Sequence, residues 1–385
     1  MKIMLVNDSI GTGGAESYYL DLSDALRKEG HLVLNVFFGE NKKINNAYMI
    51  RDPKTKFFKY LSAVFFNIRV YKNLKKKINE FNPDVIHLHN INKYPLTVLF
   101  ACRGRNVVQT VDDYGLICPT AWCVYKRSYK ICSGGFGIKC LNCLNIARFF
   151  GFGIVFVARF LLRKVVKKYI APSKMLKSYL EKHNFRNVFY LPYFINTQNW
   201  KFQKNKKGDK ILYVGQLTEQ KGVKFLLEAF PLVIKKRPNA VLNIIGDGQE
   251  MGYLKLRAEQ LGIKKKVNFI GSLPRKKIAR WYRNSKVVVV PSIWMEQFGI
   301  VGLEALASGT PCIGSRIGGI PEWLKDGKNG FLVKRMDYEE IAEKVIKLLE
   351  NSELVKKFGI YGRKFVETNF NQKKHMYALS EIYKK

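Results

Sequence analysis

Two carboxylates, Glu296 and Glu304, lie in the part of the sequence best suited to chemistry. The apolar run KVVVV precedes them, so Glu296 is predicted in the loop after a buried strand and Glu304 on the next helix. Backbone N–H groups of Phe298, Gly299 and Ile300 would stand at the helix start, where anions bind. This arrangement suits a diphosphate and carboxylates that accept hydrogen bonds from sugar hydroxyls. The spacing also fits a simple acid at a helix start, Glu296, and an exposed helix residue, Glu304.

Three glycine-bearing loops each follow an apolar run and precede a helical pattern. They contain Gly13 and Gly14, then Gln216 and Lys221, and then Gly246. Glycine lets the backbone approach a ligand, and a lysine at a helix start can share a phosphate with the helix N–H groups. Each loop also fits a plain tight turn, and Lys221 also fits a solvated surface lysine.

The elements that must position these loops alternate along the chain. Short apolar runs followed by helical patterns occur in both halves, which favours doubly wound parallel sheets of the α/β class. The runs predicted as strands are 3–7, 31–38, 85–89, 107–111, 211–214, 241–245, 267–270, 287–291 and 310–314. A polar stretch at 200–209 predicts a domain boundary. Ligands bind outside the carboxyl ends of strands in such sheets, which is where the glycine loops and Glu296 stand.

Length and charge limit the class of protein. The chain of 385 residues is long enough for two domains, and its 47% hydrophobic residues exclude wholesale disorder. The net charge of +37 predicts polyanionic partners, namely nucleic acid, an anionic membrane or phosphorylated small molecules. We expect a cytoplasmic protein, because no apolar run reaches the length of about 18 residues needed to span a bilayer and no signal peptide is evident.

A basic and aromatic segment in the first half contains no acid. Positions 114–180 hold 12 Lys and Arg residues and not one Asp or Glu. Within it, 146–170 mixes basic residues with Phe, Val and Leu. The separate stretch 54–77, earlier in the chain, has the same basic and aromatic character. This pattern is typical of an amphipathic segment on an anionic membrane surface, although buried helices with solvated lysines would also fit.

Five cysteines fall within the same acid-free segment, with the spacing C-x4-C-x8-C-x7-C-x2-C. They are Cys118, Cys123, Cys132, Cys140 and Cys143. The C-x2-C pair is the usual half of a zinc site, so four of the five are candidate ligands of a structural Zn²⁺. The alternative is a set of reduced cysteines that pack an insertion. No other cofactor is expected.

The motif E-x7-E, formed by Glu296 and Glu304, resembles that of retaining glycosyltransferases of family 4, which have the GT-B fold. The run GIVGLEALASGTPCIGSRIGGIPEWLKDGKNGFLV resembles the family's donor-site signature, and GTGGAES, DVIHLHN, VGQLTEQKG, IIGDG and VNFIGSLP stand where the family carries similar segments. The resemblance implies two Rossmann-like domains facing a central cleft. Residues 1–200 would bind the acceptor, residues 201–371 would bind the nucleotide-sugar, and a helix at 372–385 would pack back on the first domain.

The resemblance also implies roles for individual residues. Glu304 would hold the ribose hydroxyls and Glu296 the hydroxyls of the donor sugar, while Lys221 would neutralise the departing diphosphate. The backbone of 298–300 would face the sugar and phosphates, and the loop at Gly246 would lie in the same donor site. Gly13 and Gly14 would approach the phosphates from the opposite wall.

Two positions depart from the family pattern. Gln216 stands where the family commonly has an Arg, which removes one phosphate-binding cation. Asp112 stands where the family often has a His that contacts the donor sugar, and an ionised carboxylate accepts hydrogen bonds but cannot donate them. We expect altered substrate use, because Lys221 and both glutamates are present. Asp112 is therefore kept with Glu296 and Lys221 as a catalytic candidate.

The sequence thus predicts a retaining, metal-independent glycosyltransferase. It would move a sugar from a nucleotide-diphosphate sugar to a polyprenyl-linked glycan in bacterial surface polysaccharide synthesis, bound peripherally to the inner face of the cell membrane. A GT-B epimerase or a catalytically weakened scaffold would also bind a nucleotide-sugar. A nucleic-acid-binding protein would explain the charge but not the E-x7-E motif, so no specific nucleic acid is expected.

Overall fold

The computed structural model describes residues 1–8, 13–39, 47–50, 66–206 and 208–384. Positions 11–12 of the first glycine loop, 54–65 of the stretch 54–77 and the last residue of the predicted C-terminal helix lie outside the described residues. Contacts divide the chain into two units, 1–11 with 15–192 and 375–385, and 12–14 with 193–374. Residues 193–200 and 372–374, which the sequence assigned to the N-terminal domain and to the helix packed on it, have their contacts in the second unit.

The first unit contains a sheet of seven parallel strands in the order β3-β2-β1-β4-β5-β6-β7. The strands are β1 (Lys2–Asn7), β2 (Leu32–Phe38), β3 (Ala47–Ile50), β4 (Val85–Leu88), β5 (Val107–Thr110), β6 (Lys168–Ala171) and β7 (Val188–Tyr190). Every residue of β4, β5 and β6 is buried, because helices cover both faces of a parallel sheet.

Within the described ranges, five helices connect these strands: α1 (Gly14–Lys28), α2 (Ile68–Phe81), α3 (Pro95–Ala101), α4 (Ile146–Leu162) and α5 (Lys174–Lys182). Polar caps start two of them. Asn67 accepts a hydrogen bond from the Val70 N–H at the start of α2, and Ser173 accepts one from the Leu176 N–H at the start of α5. The predicted amphipathic segment 146–170 is therefore only partly helical, since α4 ends at Leu162 and the chain then enters β6.

The second unit contains a sheet of six parallel strands in the order β10-β9-β8-β11-β12-β13. The strands are β8 (Lys210–Val214), β9 (Val241–Ile245), β10 (Val267–Gly271), β11 (Val287–Val290), β12 (Cys312–Ser315) and β13 (Gly330–Val333). The helices are α6 (Val223–Lys236), α7 (Met251–Gln260), α8 (Arg275–Asn284), α9 (Ile300–Ala307), α10 (Ile320–Trp323), α11 (Tyr338–Glu350) and α12 (Ser352–Asn369). Two parallel sheets with crossover helices confirm the predicted α/β class.

The last helix, α13 (Gln372–Lys384), packs in the first unit from His375 onward. The Tyr383 hydroxyl lies 2.7 Å from His87 Nδ1, and the Lys168 ammonium donates to the Ile382 carbonyl at 2.7 Å. These bonds join the end of the chain to β4 and β6.

Each sheet reverses its strand order once, between β1 and β4 and between β8 and β11. Loops leave such a reversal point in opposite directions and open a crevice at the carboxyl ends of the strands. The predicted site residues lie in these loops. None of the helices in the described ranges has both the length and the hydropathy that crossing a bilayer requires.

Candidate functional site

Glu296 lies in the loop after β11 and is only 4% exposed. Its Oε2 accepts hydrogen bonds from Lys221 Nζ at 2.8 Å, Ser292 Oγ at 2.9 Å and Trp294 Nε1 at 3.0 Å. Burial alone would raise the pKa of this carboxyl. The Lys221 ammonium and the three hydrogen bonds outweigh burial, so the pKa of Glu296 lies below its ordinary value. Glu296 is therefore an oriented anion at neutral pH.

Lys221 ends a 3₁₀ turn, Glu219–Lys221, directly before α6. The next residue, Gly222, has a φ of 67°, and a Cβ there would lie 2.0 Å from the Pro291 carbonyl oxygen. Only glycine therefore lets the loops after β8 and β11 approach this closely. Lys221 Nζ also lies 4.8 Å from the centre of the Trp294 ring. These contacts exclude the alternative of a solvated surface lysine.

Glu304 lies on α9 and is 5% exposed, so the alternative of an exposed helix residue is wrong. Its Oε1 accepts a hydrogen bond from Arg275 Nε at 2.8 Å, and its Oε2 accepts one from the Tyr282 hydroxyl at 3.0 Å. Both donors stand on α8. Burial, and then the negative charge of Glu304, raise the pKa of Tyr282 well above its ordinary value, so this phenol stays a donor.

The segment between the two carboxylates forms the start of α9. Gly299 is the residue before the helix, with a φ of 88° and no side chain to cap the first N–H groups, which begin at Ile300. Phe298 is fully buried, and its carbonyl accepts a hydrogen bond from Trp323 Nε1. The structure thus brings an uncapped helix start next to Glu296, as the sequence predicts.

Two further loops reach the same edge of the second sheet. Gln216 follows β8 and is exposed, and its carbonyl accepts a hydrogen bond from the Tyr213 hydroxyl at 2.8 Å. Gly246 follows β9 with a φ of 141°, and a Cβ there would lie 1.8 Å from the Gly215 carbonyl oxygen. Glycine at 246 therefore allows the loops after β8 and β9 to pack together.

The first unit places Asp112 in the loop after β5, beside His89 in the loop after β4. His89 Nδ1 lies 3.4 Å from Asp112 Oδ2, and both side chains are buried. Beneath them, His87 Nε2 lies 2.8 Å from Thr110 Oγ1, and burial, followed by the nearby His89, lowers the pKa of His87 well below its ordinary value. Gly13 directly precedes α1, and Gly14 is its first residue.

A cavity of about 260 Å³ opens beside Asp112 in the first unit. Phenylalanine rings form much of its wall, and basic side chains stand among them; they include Phe136, Phe156, Phe160, Phe185, Arg163 and Lys182. A cavity with apolar walls, an acid–imidazole pair and cations suits a ligand with both an apolar part and an anionic part.

Comparison with known sequences assigns both halves of the chain. The family described as Glycosyltransferase Family 4 matches residues 12–199, and the family described as Glycosyl transferases group 1 matches residues 194–365. The chain belongs to glycosyltransferase family 4. The predicted glycosyltransferase family is therefore confirmed.

One curated relative of this glycosyltransferase is an uncharacterized glycosyltransferase of Methanocaldococcus jannaschii, 41% identical over 37% of this chain and 36% of its own. The match covers 36% of the length of this relative, and 48% and 42% of the lengths of two further curated relatives. The chain therefore spans less than half of each of the three.

Two solved structures share the fold over almost the full length of the chain. HepE of Anabaena, in complex with UDP-glucose, aligns with a TM-score of 0.77 and 18% identity over 99% of this chain and 100% of its own. WaaG, a glycosyltransferase involved in lipopolysaccharide biosynthesis, aligns with a TM-score of 0.75 and 18% identity over 99% of each chain. These neighbours confirm the GT-B fold.

The five clustered cysteines of this glycosyltransferase are all free thiols. Cys118, Cys132, Cys140 and Cys143 line one small cavity, which Cys123 does not line. As the side chains stand, the described residues contain no group of three or more His, Cys, Asp or Glu arranged to hold a metal ion. Zinc at this cluster stays a prediction.

Sequence reasoning missed three residues of the candidate site. Arg275 and Tyr282 bind Glu304 from α8, and His89 faces Asp112 from the loop after β4. His89 was visible in the motif DVIHLHN, but its partner was not. A usable signal for Arg275 was its place directly after Pro274, at the start of a helix that follows a predicted strand.

Proposed function

We propose that this glycosyltransferase is a retaining enzyme that transfers a sugar from a nucleoside diphosphate to a polyprenyl-linked glycan at the inner membrane surface, in surface polysaccharide synthesis. The observation that supports this most is a pair of buried carboxylates, each held by a cation, at one edge of the second sheet. Glu296 is held by Lys221, and Glu304 is held by Arg275. Such an edge is where open α/β sheets bind ligands.

The donor would lie along this edge. Glu304 would accept hydrogen bonds from the ribose hydroxyls as well as from Arg275 and Tyr282, since an ionised carboxylate offers about four acceptor sites. Glu296 would accept hydrogen bonds from the transferred sugar. A UDP-sugar is the donor to test first, because HepE, which has a similar fold, was solved with UDP-glucose.

The leaving diphosphate needs positive charge. Lys221 carries three N–H donors, so it can keep its bond to Glu296 and still donate to a phosphate. The uncapped start of α9 at Ile300 adds backbone N–H groups and the positive end of the helix dipole. Together these groups would support departure of the diphosphate without a metal ion.

The transfer itself would exchange one bond at the anomeric carbon. The bond from the anomeric carbon to the phosphate oxygen breaks, and the acceptor oxygen bonds to the same face of the sugar. The acceptor proton passes to the departing phosphate. This sequence needs no separate general base.

The acceptor would bind in the first unit. The cavity beside Asp112 combines phenylalanine walls with Arg163 and Lys182, which suits a glycan joined to an apolar chain through phosphate. Exposed apolar side chains on α4, including Phe150 and Phe160, favour contact with a bilayer. WaaG, a protein of the same fold, is involved in lipopolysaccharide biosynthesis.

The test begins with thermal stability at high salt, where nonspecific charge binding is screened. Nucleoside diphosphates and their sugars are compared one by one, and we expect one base and one sugar to raise the Tm selectively. That donor is then incubated with polyprenyl-diphosphate glycans in detergent, and the product is analysed by NMR for retained anomeric configuration. Equal shifts with every polyanion, an inverted product, or free sugar formed without any acceptor would each overturn the proposal; the last would indicate an epimerase.

A further inference from the structure

The segment between β5 and α4, residues 111–145, has an unusual build. It contains only 3₁₀ turns at Tyr114–Leu116 and Ile138–Asn142 and one antiparallel bridge, Val124 to Ile131. Connections longer than about 15 residues without helices or strands are uncommon in compact domains unless they are functional or disordered. This segment is ordered nevertheless, and it supplies Ile117, Gly135 and Phe136 to the wall of the cavity in the first unit.

The backbone of this segment is folded tightly. Ala121, Cys123 and Tyr129 have positive φ angles of 58°, 49° and 54°. Residues other than glycine rarely adopt this backbone conformation. Such residues persist only where the surroundings fix them. Backbone hydrogen bonds such as that from the Cys132 N–H to the Cys123 carbonyl hold the turns, and a crosslink by a metal ion would add to them as it does in small domains with few helices and strands.

Four thiols of this segment lie around a single cavity. Cys118, Cys132, Cys140 and Cys143 line one small cavity, and the last two form a C-x2-C turn in which the Cys143 N–H bonds to the Cys140 carbonyl at 2.9 Å. Cys123, the remaining cysteine of the cluster, does not line that cavity. Four thiols around one cavity, two of them in a C-x2-C turn, match the ligand set of a structural zinc ion.

Local charge favours the same ion. Zn²⁺ held by four thiolates carries a net charge of about −2, and positions 114–180 hold 12 Lys and Arg residues and no acid. Lys139 lines the cavity itself and donates to the Gly134 carbonyl. Thiolate ligands select zinc over magnesium or calcium, which prefer oxygen.

We propose that Cys118, Cys132, Cys140 and Cys143 bind one structural Zn²⁺. The Cys140 thiol donates to the Gly135 carbonyl at 3.7 Å and the Cys143 thiol to the Val124 carbonyl at 3.9 Å, and no three sulfurs of the described residues are arranged to hold a metal ion. Binding requires each thiol to lose its proton and turn about its Cα–Cβ bond into the cavity. Four protons are released, four Zn–S bonds form, and no electron is transferred. The ion would hold Gly135 and Phe136 in the wall of the larger cavity.

The test measures metal and not activity, so it is independent of the proposed function. The full chain, with any affinity tag removed, is purified without chelator from cells grown with added zinc. We expect one zinc per chain by mass spectrometry and, by X-ray absorption, four sulfur neighbours at about 2.3 Å. Less than half an equivalent of zinc, or nitrogen or oxygen neighbours, would overturn the proposal, as would a disulfide between Cys118 and Cys123 in alkylated peptides.

Serine variants assign the ligands. Cys140→Ser and Cys143→Ser should lower bound zinc to about one-tenth of the wild-type content, because a structural tetrahedral site needs all four ligands. Cys123→Ser is the matched control within the cluster, and Cys102→Ser is the control outside it; both should keep one zinc. Zinc loss in Cys123→Ser, with full zinc in Cys118→Ser, would refute this ligand set. If the ligand variants fail to fold, the zinc content of the wild-type protein and the number of sulfur neighbours of its zinc test the proposal without them.

Discussion

The Lys221 ammonium lies 2.8 Å from Glu296 Oε2 and joins the loop after β8 to the loop after β11. The two loops flank the point where the order of the second sheet reverses. Because Glu296 is buried, Lys221 is the charge that keeps its carboxylate ionised. Removing Lys221 would leave the Glu296 charge buried without its cation, whereas the Lys221 side chain is 23% exposed and would stay partly solvated without Glu296. The pair therefore links the stability of the site to its charge state.

Glu296→Gln keeps the shape of the side chain and removes its charge. If Glu296 orients the donor sugar in the transition state, kcat should fall by about 10²–10³-fold. The Kd for the free nucleoside diphosphate should change less than about threefold, because that ligand lacks the transferred sugar that Glu296 would hold. Turnover assays and calorimetric titration measure the two effects. Glu259→Gln, an exposed glutamate paired with Lys264, is the control, and equal losses of kcat and nucleotide affinity would remove the assigned role.

The low pKa of Glu296 predicts an acid-dependent loss of stability. Its pKa lies below the ordinary 4.5 in the folded protein, so the unfolded chain binds the proton first as pH falls. The stabilisation by ionised Glu296 is full above the unfolded pKa and is lost as pH falls through the folded pKa. The Tm of the wild type should therefore fall more steeply below pH 4.5 than the Tm of Glu296→Gln. Scanning calorimetry across this range checks the slope, and parallel curves would contradict it.

Lys221→Met should reverse the pH dependence of stability that ionised Glu296 produces in the wild type. Without the ammonium, burial dominates and raises the pKa of Glu296. That variant should be destabilised most at neutral pH and should recover relative to the wild type as pH falls through the raised pKa. Recovery is the outcome that distinguishes a lost ion pair from a general packing defect.

Glu304→Gln tests the ribose contact. Loss of the charged acceptor should weaken nucleoside diphosphate binding by about tenfold, since hydrogen bonds to charged groups contribute about 1.5–3 kcal/mol. At saturating donor, kcat should change little, because the ribose lies away from the reacting bond. Calorimetry with the nucleotide identified in the stability screen measures the affinity. Glu353→Gln, an exposed residue of α12, is the control, and unchanged affinity in Glu304→Gln would argue against the ribose contact.

Five of the six strands of the second sheet were predicted, because buried parallel strands are continuous apolar runs, whereas β13 was not predicted. The run at 287–291 corresponds to Val287–Val290, and the run at 241–245 to Val241–Ile245. β6 was not predicted, since Lys168 begins it and made the region resemble an amphipathic helix. The structure buries that lysine and satisfies its ammonium with the Ile382 carbonyl, a contact 214 positions away. No local pattern reports such a partner.

The candidate site likewise contains residues that the sequence predicted and contacts that it did not. Glu296 and Lys221 were recognisable from their residue types and their places after apolar runs. Their mutual ion pair was not, because it depends on Gly222 allowing two loops to approach. Arg275 was missed because only the packing of α8 against α9 brings it to Glu304. Sequence patterns located the chemistry, and tertiary packing determined which charges meet.

Gln216→Arg is a gain-of-function test. Gln216 is exposed in the loop after β8, at the position where the family commonly has a cation. An added guanidinium should tighten nucleoside diphosphate binding by about tenfold, because charge-assisted hydrogen bonds to phosphate are strong. The gain should shrink as salt rises. Gln216→Glu is the matched control and should weaken binding; if Arg and Glu gave the same affinity, position 216 would lie away from the phosphates.

The exposed side chains of α4 and the basic residues near them predict membrane binding by two contributions. One is burial of phenylalanine side chains, and the other is attraction to anionic lipids. Phe150 and Phe160 are 67% and 54% exposed, and a bilayer interface would bury them. Phe150→Glu with Phe160→Glu should weaken binding to phosphatidylglycerol vesicles by at least about tenfold, since burying a Phe side chain contributes about 1.5–3 kcal/mol. Vesicle co-sedimentation measures this. Tyr377→Glu, on an exposed position of α13, controls for the added charge and should bind like the wild type apart from a small electrostatic loss.

Raising the salt concentration should separate the electrostatic contribution to membrane binding from the apolar one. The basic residues of 114–180 should contribute an attraction that fades as ionic strength rises, whereas the phenylalanine contribution should persist. At high salt the wild type should therefore still bind more tightly than the α4 double variant. If both lost all binding at the same salt concentration, the contact would be electrostatic alone and α4 would not enter the interface.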